Sequence, residues 1–172
     1  ISLSSQGGTT IPLDAALQPV YNAMSWMDQR ARQEYLQVKE SFGAEAIYRI
    51  TGWSLMPALP LMHICWLRNK LPDVFSRACH FTFVNDYIGY RLVGELCMDP
   101  SDASITQLLD IASGAWDPRL LDLAGIRPEM LSPLRRSGRL VGALSAEASR
   151  LTGLPQGAPL FNGAHDQYCA AV

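Results

Sequence analysis

The sequence predicts an α/β fold with a helix-rich middle, and three stretches carry that prediction. Ile1 to Ser5 alternates apolar and polar residues, the period of a half-buried strand. Ala31, Tyr35, Val38 and Phe42 recur at the spacing of an amphipathic helix. Near the end, the turn signal Pro155-Gln-Gly157 leads into Ala158-Pro-Leu-Phe-Asn-Gly-Ala-His-Asp-Gln167, a short apolar run that breaks at Gly163. From Asp166 to Val172 the chain is apolar and helix-prone. This reads as strand, tight loop and helix start, with a carboxylate at the carboxyl edge of a sheet. Ligands collect at that edge in α/β architectures, which makes Asp166 the leading candidate for a reactive group. Asp is also among the best helix N-caps, and the stretch by itself fits either role.

The remaining elements follow in order. Gln6-Gly-Gly-Thr-Thr10 is a glycine loop, suited to a tight turn or to close approach of backbone to a ligand. It matches neither GxGxxG nor GxxxxGK[ST], so a phosphate cradle is not indicated. Leu13 to Pro19 reads as a hairpin loop. Asn22 to Asp28 leads into the Ala31–Phe42 helix, with Gly43 as its stop. Ala44 to Ile50 is a second short helix ended by Gly52, and Pro60 opens a third over Leu61 to Asn69. Pro72 to Ala78 is another helix, His80 to Phe83 a strand, and Val84 to Val93 a helix stopped by Gly94. Ser104 to Ile111 fits strand and helix equally. Asp117 caps a helix with Pro118 at its first position and Gly125 after Ala124. Arg139 to Leu144 is a strand, and Ser145 caps a helix to Leu151 that Gly153 closes.

Composition narrows the function. The 172 residues allow one domain with a core, or two lobes. With 48% hydrophobic and 17% charged residues the chain is of ordinary globular composition. A net charge of −2 supplies no cationic footprint, which excludes nucleic acid as a partner. The longest apolar run, Leu59 to Leu67, is interrupted by Pro60 and His63 and falls short of the roughly 20 residues of a membrane span. Cys65, Cys79, Cys97 and Cys169 form no CxxC pair, and His63, His80 and His165 no HExxH spacing. Reduced thiols in a cytoplasmic protein, packing or surface roles for His63 and His80, and no metal site are the expectations. The start without Met and the apolar end suggest a piece of a longer protein.

Nine stretches, taken in order and at their spacing, resemble the FGGY family of carbohydrate kinases. They are Ser4-Ser-Gln6, Trp26-Met-Asp-Gln-Arg30, Trp66-Leu-Arg-Asn69, Asp86-Tyr-Ile-Gly-Tyr-Arg-Leu-Val-Gly-Glu95, Asp99-Pro-Ser-Asp-Ala-Ser104, Trp116-Asp117, Leu131-Ser-Pro-Leu-Arg-Arg-Ser-Gly138, Thr152-Gly-Leu-Pro-Gln-Gly157 and Gly163-Ala-His-Asp-Gln167. Each is weak by itself, and together they cover nearly the whole chain. The resemblance implies a ribonuclease H-like (actin-like ATPase) fold, a mixed sheet with helices and a helix-rich insertion. It implies that residues 1–172 are the later part of the N-terminal, sugar-binding domain. The family's opening Asp-x-Gly-Thr loop and its C-terminal ATP domain are not in the chain. ATP and Mg²⁺ are the implied cofactors, bound mainly by those other parts, so that the chain alone transfers no phosphate.

The resemblance also implies site residues. Asp166 aligns with the catalytic carboxylate, the general base that takes the proton of a sugar hydroxyl attacking the γ-phosphate. Gln6, Gly7 and Gly8 fall at the strand end where the family places sugar contacts. Xylulokinase-like members show Gln-Met-His there and glycerol kinases an Arg-Glu pair, whereas two glycines leave space or offer backbone N–H groups. Trp26 either lays its ring against the sugar's C–H surface or packs in the core. Asp28 joins the substrate-binding set, with Arg30 as a structural ion-pair partner, and Gln167 hydrogen-bonds a hydroxyl. Trp53, Trp66 and Trp116 are assigned to packing. His63 stands where the family commonly has Lys, and Ala58 where glycerol kinases have a ligand-contacting tyrosine, which marks a divergent member. The implied activity is phosphorylation of a sugar or polyol, a xylulose-like ketose or a relative of one. The alternative is a non-catalytic carbohydrate-binding or regulatory module on the same fold. The implied partners are that small molecule and the ATP domain of the same protein, with room for a homodimer.

Overall fold

The computed structural model describes residues 1–172. β1 (Ser2–Ser5) runs through the glycine loop into β2 (Ile11–Leu13). Asp14 makes the turn that follows, its Oδ1 accepting the N–H groups of Ala16 and Gln18, each at 2.9 Å. α1 (Arg32–Val38) passes through a wide π turn, Lys39–Gly43, directly into α2 (Ala44–Thr51). The expected stop at Gly43 holds as a break at a φ of 93°, and Gly52, at a φ of 73°, closes α2. α3 (Pro60–Lys70) has Pro60 in its first turn and is buried at seven of its residues. α4 (Pro72–Arg77) and β3 (His80–Thr82) follow, β3 pairing antiparallel with β2. α5 (Val84–Val93) then ends at Gly94, as the sequence predicts.

The stretch that fits both strand and helix contains both. α6 (Pro100–Ile105) ends inside it, and β4 (Leu109–Asp110) pairs with β5 (Ala115–Trp116) after it. Asp117 caps α7 (Pro118–Ala124) by accepting the N–H groups of Arg119 and Leu120. Such a cap stabilises a helix by about 1 kcal/mol. β6 (Leu140–Ala143), α8 (Ala146–Thr152) and β7 (Pro159–His165) complete the core elements, and α9 (Asp166–Cys169) follows β7 without a loop.

The main sheet has the order β1-β7-β6, with β1 parallel and β6 antiparallel to β7. It therefore joins the two ends of the sequence. Of the 172 residues, 23 buried apolar ones form the larger core, among them Leu61, Ile64 and Leu67 of α3 and Phe81 of β3. A smaller cluster of Cys97, Val141 and Leu160 packs with Leu3, Leu92 and Val93 at the sheet.

Gly163 does not break the last strand, contrary to the sequence reading. β7 runs through it to His165. A Cβ at this position would lie 1.7 Å from the Leu3 carbonyl oxygen, so glycine is there to let β1 come close.

Beneath the sheet lies a group of buried acids. Asp86, fully buried, accepts the N–H groups of Phe83 (2.6 Å) and Tyr87 (3.0 Å) and the Ser132 hydroxyl (2.5 Å). Desolvation nonetheless pushes its carboxyl up to about 7. Asp102 is pushed up to about 8, first by desolvation and then by the neighbouring Asp99 and Asp86, while a bond from Asn85 acts in the opposite sense.

Two predictions follow from these packings. Gly163→Ala forces β1 off β7 and is expected to lower stability by roughly 3 kcal/mol or more, read from urea unfolding. An unchanged midpoint would contradict the close approach. Carboxyls raised from 3.8 stabilise the fold fully below that value and lose this contribution as pH rises through about 7 and 8. Buried His63 works the other way, since desolvation holds it below 6.5 and its contribution fades as pH falls. Comparing wild type with Asp102→Asn cancels the histidine. The two are expected to be most alike below about pH 3.8, with the variant gaining steadily on the wild type as pH rises to about 8. A difference independent of pH would refute the assignment.

Candidate functional site

The site is built on the junction of β7 with α9. The His165 N–H donates to the Ser101 hydroxyl at 3.0 Å, and His165 Nδ1 accepts the Gln167 N–H at 3.3 Å. His165, not Asp166, is thus the cap of α9, and Asp166 is its first residue. This leaves the Asp166 carboxylate free, 43% exposed, with its Oδ1 3.5 Å from His165 Nδ1. Because β1 is parallel to β7, the Gln6-Gly7 end of β1 arrives at the same sheet edge.

A cavity of about 280 Å³ opens there, lined by Gln6, Gly7, Trp26, Trp53, Met56, Leu59, Ile105, His165, Asp166 and Gln167. Two indoles contribute to its wall. Trp26 is 50% exposed, and its backbone N–H donates to Thr9 Oγ1 at 3.4 Å. The same oxygen accepts from Gln6 Nε2 at 2.8 Å, which ties the polar and aromatic walls together. Trp53 Nε1 donates to Ser104 Oγ at 3.2 Å and so is fixed to α6. Gly7 is required where the backbone meets His165. A Cβ there would lie 2.5 Å from the His165 ring and 2.6 Å from the Ile105 methyl.

Of the site residues expected from sequence, the structure brings Gln6, Gly7, Trp26, Asp166 and Gln167 to one cavity. Gly8 and Asp28 are not on its wall. Gly8, at a φ of 82°, turns the loop beneath the Trp26 Cβ. Asp28 is held by Arg30, at 2.7 Å from Nη2 and 2.8 Å from Nε. Burial raises its pKa, but the Arg30 side-chain and backbone donors outweigh this and leave the carboxyl below its ordinary value. Arg30 in turn lies over the Trp66 ring at 5.0 Å, so this motif braces the loop that carries Trp26. His63 is fully buried and satisfied, with Nδ1 3.1 Å from the Thr10 hydroxyl and Nε2 3.2 Å from the Asp28 carbonyl.

Trp53 is a correction, since it lines the cavity rather than filling the core. The signal was its position just after Gly52, where a chain leaving a helix reaches the surface. Met56, Leu59 and Ile105 carried no motif that marks them. A larger open groove of about 640 Å³ beside Trp116 and Pro133 has no carboxylate at a strand end.

The cavity suits a small, hydroxyl-bearing, uncharged or weakly charged ligand. Indole faces cover C–H surface, while Gln6, Gln167 and Asp166 offer polar contacts. No Lys or Arg lines it, and no group of three acidic, His or Cys residues is placed to hold a metal ion. These residues do not fit a triphosphate or Mg²⁺ by themselves.

The fold is that of the actin-like ATPase class. The chain belongs to the FGGY family of carbohydrate kinases, whose N-terminal domain model matches residues 1–172. It is 39% identical over 145 residues to the autoinducer-2 kinase of Escherichia coli K12, covering 81% of this chain and 27% of that protein. The autoinducer-2 kinase of Klebsiella pneumoniae is 38% identical over 144 residues, with the same coverage. The chain thus spans about a quarter of the length of these curated relatives. Among solved structures, ligand-bound xylulose kinase from Lactobacillus acidophilus superposes with a TM-score of 0.92 at 30% identity, over 98% of this chain and 34% of that one. Gluconate kinase from the same organism gives 0.91 at 30% identity, over 96% and 34%.

Gly7→Ala tests the close packing of the site. The new methyl displaces His165 or Ile105, and overpacking of this kind costs about 1–3 kcal/mol. Loss of binding of a small polyhydroxy ligand, by calorimetry, is expected to exceed tenfold. Unchanged binding would show that the loop yields without disturbing the cavity.

Proposed function

We propose that this chain forms the acceptor-binding part of an ATP-dependent carbohydrate kinase, with Asp166 as general base. One observation carries the proposal: the Asp166 carboxylate stands at the end of β7, on the wall of a cavity lined by two indoles and two glutamines. Trp26 and Trp53 cover the carbon skeleton of the acceptor. Gln6 and Gln167 bind its hydroxyls and orient it, and Gly7 lets the loop after β1 pack against His165 at the cavity. Asp166 accepts the proton of the hydroxyl that is to be phosphorylated, a contribution of about 10²–10⁴-fold for a well-placed base. ATP with Mg²⁺ supplies the phosphoryl group and is held by parts of the protein outside these residues, so that this chain alone transfers nothing.

The acceptor is a small sugar or polyol, a xylulose-like ketose or a close relative of one. Similarity to autoinducer-2, xylulose and gluconate kinases sets the panel to be tested. Lining residues without cationic side chains favour neutral acceptors over phosphorylated ones.

In the full-length protein, Asp166→Asn is expected to lower kcat by about 10²-fold or more while acceptor affinity stays within about threefold. Steady-state kinetics and calorimetry over the panel measure the two quantities. Turnover near that of the wild type would remove Asp166 from the reaction.

A further inference from the structure

The acid group under the sheet reaches the site through one hydroxyl. Asp99 and Asp102 are both almost fully buried and share the side-chain amide of Asn85, which donates to Asp99 Oδ2 at 3.4 Å and Asp102 Oδ2 at 2.5 Å. Their surroundings differ. Asp99 Oδ1 accepts the Ser101 N–H at 2.8 Å, the Asp102 N–H at 3.2 Å and the Ser101 hydroxyl. Asp102 Oδ1 has no partner. Four donors converge on Asp99 and one on Asp102, which places the negative charge on Asp99 and a proton on Asp102.

An ionised carboxylate can only accept. The Ser101 proton must therefore point at Asp99, which leaves the Ser101 lone pairs for the His165 N–H, 3.0 Å away. His165 is the last residue of β7, where the ladder with β1 ends. The next residue is Asp166. The Ala164–His165 peptide that this hydroxyl holds lies one residue before Asp166.

We propose that Asp99 and Ser101 are positioning residues for Asp166, acting as a relay in which the buried charge fixes the Ser101 hydroxyl and the hydroxyl fixes the strand–helix junction. The inference rests on Asp166 being the base, as proposed above. Neither residue lines the cavity, so neither contributes to binding the acceptor directly. Asp99 also caps α6, as does Ser145 for α8, and that stabilising role is separable.

The test uses the full-length kinase and its best acceptor. Ser101→Ala is expected to lower kcat between about tenfold and a hundredfold, with KM within about twofold, because the base is misplaced while the walls of the cavity remain. Ser101→Thr keeps a hydroxyl and is expected to recover most of the rate. Ser145→Ala removes a helix-cap hydroxyl remote from the site and is expected to leave kcat unchanged, which controls for lost stability. The inference is overturned by a Ser101→Ala enzyme within about twofold of wild-type kcat, by a loss confined to KM, or by an equal loss in Ala and Thr variants. Asp166→Asn in the same series separates the two readings. If it is inactive and Ser101→Ala is active, only the relay fails; if Asp166→Asn is active, the assignment of the base fails and takes the relay with it.

Discussion

The parallel pairing of β1 with β7 is the constraint on which the rest of the molecule depends. It brings residues near position 4 beside residues near position 164, so the chain must close a very long loop before any of these contacts exist. The closure is tight because Gly163 has no side chain to keep the Leu3 carbonyl away. Parallel direction matters as much as proximity. Only that sense of pairing delivers Gln6 and Gly7, at the end of one strand, to the edge where the other strand ends in His165. The intervening sequence then supplies α3 and its neighbours as the core, and the loops carrying Trp26 and Trp53 as the walls.

Much of this was legible in the sequence because short-range chemistry decides it. Asp117-Pro118 with Gly125, and Val84 to Val93 with Gly94, state their own boundaries through caps and stops. Asp166, Gln6, Gly7, Trp26 and Gln167 lie at one cavity, a grouping that family likeness and not periodicity suggested. What sequence reasoning missed depends on distant partners. Gly163 looks like a strand breaker until Leu3 is set against it. Trp53 looks like core until its indole N–H is seen to reach Ser104. The π turn after Val38 has no local signature at all.

Few of the residues that line the cavity are polar. Asp166, Gln167 and Gln6 are set among Met56, Leu59, Ile105 and two indoles. Recognition by such a surface relies on shape and on a few directed hydrogen bonds, with little long-range attraction. The charged residues near it are used internally. Arg30 stacks on Trp66 and binds Asp28, and the acids beneath the sheet are neutralised or saturated with donors. Electrostatic work in this half of the molecule goes into holding loops and strand ends still.

The absence of any connecting loop between β7 and α9 has an evolutionary consequence. The carboxylate is welded to the sheet and inherits its stiffness, whereas Trp26, Trp53 and Met56 ride on segments outside regular structure. With Asp166 as the base proposed above, chemistry and selectivity reside on mechanically different parts. Mutation can remodel the rim to admit another molecule without touching the group that reacts. A lineage built this way is free to change its diet while keeping one way of digesting it.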